Sequence, residues 1–228
     1  MGDLSEKLIE ELDCKTVFTI PLFGGIDVAE SVVVTWIIMA VLVILALIFT
    51  RNLKVENPGR RQLMVESAVT WLQKFVGDFV GEEGKAYVPY LMTVIIYLGI
   101  ANMIGLFGFK PPTKDLMVTA ALALMSIVLI QVASIRAKNV GGWLKGFTKP
   151  MALVTPINIL ELVIKPLSLC MRLFGNVLGA FVVMKLLESV VPVVVNLAFS
   201  FYFDIFDGLI QAYIFVFLTG LFIKEAIE

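Results

Sequence analysis

Apolar residues run in long stretches along most of the chain. Three of these stretches, residues 28–50, 88–109 and 116–135, each have the length of one membrane-spanning helix. About 20 residues at ~1.5 Å each cover the ~30 Å hydrocarbon core of a bilayer. The second and third stretches are separated only by a short turn at Lys110-Pro111-Pro112. The pattern therefore predicts three spans, of which the last two form an antiparallel hairpin.

Residues 61–80 follow a different pattern, in which apolar and polar residues alternate at helical spacing. The apolar residues of one side are Met64, Ala68, Trp71, Leu72, Phe75 and Phe79. A helix with one apolar side and one charged side lies in the membrane surface rather than across it. We therefore expect a surface amphipathic helix between the first and second spans.

The last two apolar stretches are unusually long. As single helices, residues 153–190 and 193–223 would measure ~57 Å and ~46 Å at ~1.5 Å per residue, so both must tilt steeply or bend. The chain is thus predicted to be an all-α integral membrane protein with five crossings. It forms a single membrane domain over 1–228, and residues 1–27 form an external segment.

Composition agrees with a membrane protein and excludes several other classes. Hydrophobic residues make up 59% of the chain, mean hydropathy is +0.95, and 16% of residues are charged, against about 25% in soluble domains. The 18 basic residues face 19 acidic ones, so no nucleic-acid partner is expected. Histidine is absent, which excludes histidine-ligated metal. No glycine-rich phosphate loop occurs, so we expect no direct nucleotide binding, and we predict no cofactor.

The distribution of basic residues orients the spans. Loop 136–150 contains no acid and four basic residues, Arg136, Lys138, Lys145 and Lys149. Such loops face the cytoplasm, so the N-terminus is expected outside and the C-terminus inside. Residues 1–30 carry seven acids and two lysines, the reverse of the basic start of a cleavable signal.

Polar side chains recur at helical spacing in the fifth and sixth helices. Those of the fifth are Asn158, Glu161, Lys165, Ser168, Arg172 and Asn176; those of the sixth are Asn196, Ser200, Asp204, Asp207 and Gln211. Each set falls on one helical face. Two adjacent helices with matching polar stripes can enclose a hydrated path, so the pattern indicates ion translocation.

Arg172 is the most informative residue of these stripes, because it lies near the middle of its helix. An arginine at that depth costs about 2.5–3.5 kcal/mol on insertion scales. The functional interpretation is a fixed positive charge beside an ion path. The alternative is a purely structural ion pair between Arg172 and Asp204 or Asp207.

Two segments carry a resemblance to a known family. The run KPLSLCMRLFGN at 165–176 and the run QAYIFVFL at 211–218 resemble the two signatures of subunit a of F-type ATP synthases. The resemblance covers the whole chain, including the five crossings and the surface helix. It implies a bacterial plasma-membrane subunit that works beside a rotating c-ring and the peripheral-stalk subunit b.

The resemblance also implies roles for individual residues. Arg172 matches the arginine that faces the ion-carrying carboxylate of the c-ring and separates two offset half-channels. Asp204 matches the ionisable position of the outer half-channel, whereas Phe181 stands where many members carry Glu or His. The outer path is then expected along Asn196, Ser200, Asp204 and Asp207, and the inner path along Asn158, Glu161 and Ser168. Asn158 stands where members often have an acid, and Glu161 is expected to substitute for it.

The function implied is that of a stator subunit that passes H⁺ to and from the c-ring and performs no catalysis itself. A carboxylate must be neutral to travel through lipid, and a nearby arginine favours its ionised form. The carboxylate therefore unloads before Arg172 and reloads afterwards, which biases rotation. Two alternatives stay open: a Na⁺-coupled version of the same subunit, and a self-contained cation channel or transporter.

Overall fold

The computed structural model of the chain describes residues 16–20, 26–51, 53–55, 58–107, 109–146, 155–190 and 199–227. Within these ranges two short strands precede a series of helices. The strands are β1 (Thr16–Ile20) and β2 (Ile26–Ala29), and the α-helices are α1 (Glu30–Thr50), α2 (Arg60–Val80), α3 (Val88–Met103), α4 (Leu116–Gly146), α5 (Thr155–Val190) and α6 (Gly208–Ile227). Short 3₁₀ turns cover Lys85–Tyr87, Ile104–Phe107 and Pro112–Lys114, and a π-helix covers Phe201–Asp207 directly before α6.

Five helices of the described residues are long and apolar enough to cross a membrane. They cover Glu30–Thr50, Lys85–Phe107, Leu116–Leu144, Thr155–Met184 and Phe201–Ile227. A helix satisfies its own backbone hydrogen bonds, which the hydrocarbon core cannot do. The predicted all-α membrane class is therefore confirmed. Helix α2 has the predicted bounds within one residue and is not among the five.

Two features of the fold differ from the expectations. Strands β1 and β2 pair antiparallel, with Thr16 opposite Ala29 and Ile20 opposite Ile26, within a region expected to hold only an external segment and the start of a span. In addition, α4 continues past 135 to Gly146, so the predicted loop is helical over much of its length. Asn139, at φ 59°, interrupts this helix, and residues beyond it fold back so that Trp143 Nε1 donates a 2.9 Å hydrogen bond to Gln131 Oε1.

The packed core lies among α3, α4, α5 and α6. Helix α6 packs against α3 and α4, and α4 packs against α5. Fully buried Leu98, Leu173 and Val216 come from three of these helices. By contrast, α1 buries only Ser31, Val34 and Ile38, and the rest of its apolar surface is available to lipid.

Helix α2 is attached to α6 by aromatic side chains. Phe75 lies 5.6 Å from Tyr213 and Phe79 lies 5.4 Å from Phe217, measured between ring centroids. Gly220 allows this approach, because a Cβ there would lie 2.9 Å from the Phe79 ring. Gly81, at φ 81°, ends the helix with a backbone N–H to the carbonyl of Gly77. The apolar side predicted for residues 61–80 therefore contacts the last helix in part.

Candidate functional site

A cavity of about 320 Å³ lies beside the start of α6, and we call it the Asp204 cavity. Its polar side chains come from α3, from the turn that follows and from the π-helix with α6. The lining residues are Asn102, Gly105, Phe109, Lys110, Pro111, Val177, Ala180, Phe181, Met184, Ser200, Phe203, Asp204, Asp207, Gly208 and Gln211. Four predicted site residues, Ser200, Asp204, Asp207 and Gln211, thus share one cavity. The predicted residue Asn196 lies outside the described residues.

The two carboxylates of this cavity stand on the π-helix rather than on an ordinary α-helix. A π-helix bonds residue i to i+5 and occurs mostly as a short widened turn, often at functional sites. The spacing argument for Asp204 and Asp207 assumed α-helical geometry, which is wrong for this segment. Both side chains nevertheless line the same cavity. Ser200 Oγ donates a 2.7 Å hydrogen bond to Asp204 Oδ2.

A polar contact joins α5 to α6 at the same level. Asn176 Nδ2 donates a 2.8 Å hydrogen bond to Gln211 Oε1. Gln211 is only 1% exposed, so this bond satisfies an amide oxygen that water does not reach. The two predicted polar stripes therefore meet at Asn176 and Gln211.

Phe181 forms part of the wall of the Asp204 cavity and also covers a buried cation. The Lys114 ammonium lies 3.7 Å from the centroid of the Phe181 ring, and Lys114 is only 7% exposed. A cation over an aromatic face is attracted by the ring quadrupole. Phe181 itself carries no charge, unlike the Glu or His that many family members have at this position, but the charged Lys114 side chain lies directly against its ring.

A second cavity, of about 200 Å³, lies between α4, the first turns of α5 and the end of α6, and we call it the Glu161 cavity. Its lining residues include Gln131, Ser134, Lys138, Trp143, Asn158, Glu161, Lys165 and Glu225. Lys165 Nζ lies 3.5 Å from Glu161 Oε2 and 3.1 Å from Glu225 Oε2. Lys165 thus pairs with two carboxylates in this cavity, and the predicted residues Asn158 and Glu161 both line it.

Arg172 lies on α5 between the stretches that line the two cavities. Lys165 is the last α5 residue of the Glu161 cavity and Val177 is the first of the Asp204 cavity. The Arg172 side chain is exposed, as is Ser168 one turn earlier. Among the described residues, Arg172 forms no salt bridge with Asp204 or Asp207. The structural ion-pair alternative is therefore wrong for this conformation.

Ser168 is expected on the inner path with Asn158 and Glu161, but it does not line the Glu161 cavity. The kinked end of α4 contributes Trp143 to this cavity and the last turn of α6 contributes Glu225, whereas the residues that α5 contributes end at Lys165. The polar stripe therefore begins inside a cavity and continues onto an open face at Ser168 and Arg172.

Sequence reasoning missed several residues of both cavities. Asn102 and Gln131 are amides within otherwise apolar spans. Because a polar side chain is costly inside a membrane, each could have been recognised from the sequence as a candidate site residue. Glu225 lies near the chain end, and nothing in its local pattern links it to Lys165. Gly105 and Lys110 belong to a turn whose position depends on helix packing.

Comparison with known proteins shows the family of the chain. Residues 32–224 match the family described as ATP synthase A chain. The chain belongs to the ATP synthase A chain family. The resemblance carried by the two signature runs, to subunit a of F-type ATP synthases, is therefore confirmed.

Similar subunits come from several bacteria. The "ATP synthase subunit a" of Moorella thermoacetica is 33% identical over 206 residues, covering 90% of this chain and 94% of the relative. "ATP synthase subunit a, sodium ion specific" of Propionigenium modestum is 32% identical over 219 residues, covering 89% and 75%. "ATP synthase subunit a 3" of Pelobacter propionicus is 34% identical and covers 88% of each chain. Membership in this family implies a multi-pass membrane subunit of a complex with a c-ring, active in ion transport and ATP synthesis.

Proposed function

We propose that this subunit a passes H⁺ to and from the c-ring through two half-channels, the Asp204 cavity and the Glu161 cavity, with Arg172 as the fixed charge between them. The observation that carries the proposal is the position of Arg172. It is exposed on α5 between the turns that line two separate cavities. Family membership favours this stator role over a self-contained channel.

The open face of α5 around Arg172 fits close contact with another helix. Gly175 and Gly179 are exposed on that face, and a Cβ at either position would meet no atom within 4 Å. Small residues allow helix backbones to approach closely in a membrane. A c-ring helix packed there would bring its carboxylate to Arg172.

The coupling of ion flow to rotation follows from the electrostatics of that contact. The ring carboxylate loses its ion opposite Arg172, because a nearby opposite charge favours the ionised form. It must be neutral again to enter lipid, since a charged group in hydrocarbon is costly. One cavity therefore receives the ion and the other supplies the next, so that net ion flow between the two cavities biases rotation of the ring.

The orientation is proposed from the charge of the loops. The Glu161 cavity includes Lys138, within the basic segment that faces the cytoplasm under the positive-inside rule. The Asp204 cavity then opens to the outside, as does the N-terminus, and the C-terminus lies in the cytoplasm. The site is placed in the bacterial plasma membrane, beside the c-ring and the peripheral-stalk subunit b.

A Na⁺-coupled version is the second candidate, because the relative from Propionigenium modestum is described as sodium ion specific. ATP-driven pumping by the whole complex in vesicles, with and without Na⁺, separates the two. Acidification that does not depend on Na⁺ supports H⁺. Pumping that requires Na⁺ contradicts it.

Cysteine labelling tests the two half-channels directly. In a complex whose subunit a lacks native cysteines, Ser200→Cys and Asn158→Cys are exposed to a membrane-impermeant thiol reagent on one side of the vesicle at a time. We expect the two to react from opposite sides, while Val163→Cys, on the apolar exposed face of α5, stays protected. Labelling of both cavity positions from the same side would contradict the proposal.

A further inference from the structure

The backbone of Gly105 lies directly against the Asp204 carboxylate. A Cβ built at Gly105 would lie 3.0 Å from Asp204 Oδ1 and 3.3 Å from Cγ. Among the described residues Gly81 is the glycine with positive φ, so the backbone of Gly105 does not itself require glycine. A glycine at 105 is instead explained by the position of the Asp204 carboxylate, which occupies the space that a side chain at 105 would need.

The other oxygen of Asp204 is held from its own helix. Ser200 Oγ donates to Asp204 Oδ2 at 2.7 Å, while Gly105 contacts the carboxylate from the 3₁₀ turn Ile104–Phe107. The carboxylate therefore lies between a hydroxyl donor and a backbone wall. Both Ser200 and Gly105 line the Asp204 cavity, so this arrangement sets how Asp204 faces that space.

The wall that carries Gly105 is fixed by buried hydrogen bonds. Asn102 Nδ2 donates to the Gly208 carbonyl at 3.0 Å, and Thr113 Oγ1 donates to Asn102 Oδ1 at 2.8 Å. Asn102 is 4% exposed and Thr113 is 0% exposed. Because Gly208 directly follows the π-helix, this chain of bonds joins the end of α3 to the segment that carries Asp204.

We propose that Gly105 is a positioning residue for Asp204, and that Asn102 and Thr113 hold Gly105 in place. Because residue 105 has no side chain, the 3₁₀ turn Ile104–Phe107 can close against the Asp204 carboxylate, and this contact fixes the direction of the carboxylate in the cavity. This inference rests on the proposed role of Asp204 in ion transfer. Small displacements matter in such sites, since ~1 Å costs about 100-fold in positioned reactions.

The test is Gly105→Ala in the whole ATP synthase complex, with ATP-driven H⁺ uptake into vesicles measured at matched assembly. The added methyl group must move the carboxylate by several tenths of an ångström, so we expect uptake to fall about three- to tenfold. Gly99→Ala is the matched control, because Gly99 is buried in α3, the helix that leads into the turn of Gly105, and its Cβ would meet Leu209 Cδ2 at an ordinary 3.7 Å. We expect that variant to pump normally.

A double variant separates positioning from general structure. Asparagine in Asp204→Asn keeps the shape of the side chain but cannot ionise. If Gly105 acts through the carboxylate, adding Gly105→Ala to Asp204→Asn causes no further loss of the remaining uptake. A further three- to tenfold loss in the double variant would overturn the positioning role.

The remaining outcomes keep the inference distinct from the proposed function. Normal uptake by Gly105→Ala beside impaired Asp204→Asn overturns the inference alone. Normal uptake by Asp204→Asn overturns the proposed role of Asp204. If Gly105→Ala fails to assemble, Asn102→Ser is the second variant, because serine is too short to hold the Gly208 carbonyl. We expect Asn102→Ser to lower uptake similarly. Normal uptake by Asn102→Ser would also overturn the inference.

Discussion

The contact between Lys114 and Phe181 gives a prediction whose size can be worked from the structure. The ammonium lies 3.7 Å from the ring centroid and Lys114 is 7% exposed. A cation–aromatic contact contributes about 0.5–1 kcal/mol at exposed sites and about 2 kcal/mol or more when water is excluded. Because Lys114 is nearly buried, we expect Phe181→Leu to lose about 2 kcal/mol, or about 30-fold in the folding equilibrium.

The measurement is denaturation of the purified subunit in mixed micelles by increasing SDS, followed by tryptophan fluorescence. The chain has three tryptophans for this signal. Phe174→Leu is the control, because Phe174 lies on the same helix, is similarly half-buried and has no cation over its ring among the described residues. The control reports the loss of ring volume alone.

A double-mutant cycle with Lys114→Met isolates the pair. We expect Phe181→Leu to cost clearly more than Phe174→Leu, and the cycle to give a coupling energy of about 1–2 kcal/mol. Equal losses in the two leucine variants, together with additive effects of Lys114→Met and Phe181→Leu, would refute the reasoning.

Charged residues of the two cavities give two more predictions. Asp204→Asn should slow ATP-driven ion uptake markedly and Asp207→Asn should slow it less, and the double variant should nearly abolish uptake. Full uptake in the double variant would show that the outer path runs elsewhere. In the SDS assay, Lys165→Met should destabilise the subunit more than Glu161→Gln, because it leaves Glu161 and Glu225 without their shared cation. Glu161→Gln should change stability by no more than about 1 kcal/mol, since exposed ion pairs contribute little; equal losses would contradict this.

The five spans and their order could be predicted from the sequence, because the bilayer sets the length and hydropathy of a crossing helix. The polar residues of the π-helix and α6 do share a cavity, as predicted, although the α-helical spacing used to predict it does not hold in the π-helix. The same argument brought Asn158 and Glu161 together. The contact between Asn176 and Gln211 follows from the same stripes.

What escaped prediction depends on which helices are neighbours. Gly105 contacts Asp204 and Lys165 contacts Glu225 only because α3, α5 and α6 pack as they do. No local pattern encodes those pairs. The π-helix carrying Asp204 likewise has no simple sequence signal.

One missed element did carry a local signal. The run TVFTI at 16–20 is rich in β-branched and aromatic residues, which favour a strand. The acidic residues of the same region favour an external segment instead, so the composition of the region and this short run point to different structures. The break in α4 at Asn139, by contrast, rests on a positive φ that asparagine adopts more readily than most residues.

The most direct test of the account is the fixed charge itself, through Arg172→Ala in an assembled complex. ATP-driven ion uptake and ATP synthesis in vesicles should both be abolished, because no charge then forces the ring carboxylate to release its ion between the two cavities. Arg172→Lys should also be severely impaired, since lysine lacks the planar guanidinium. Near-normal ATP-driven uptake by the assembled Arg172→Ala complex would contradict the account.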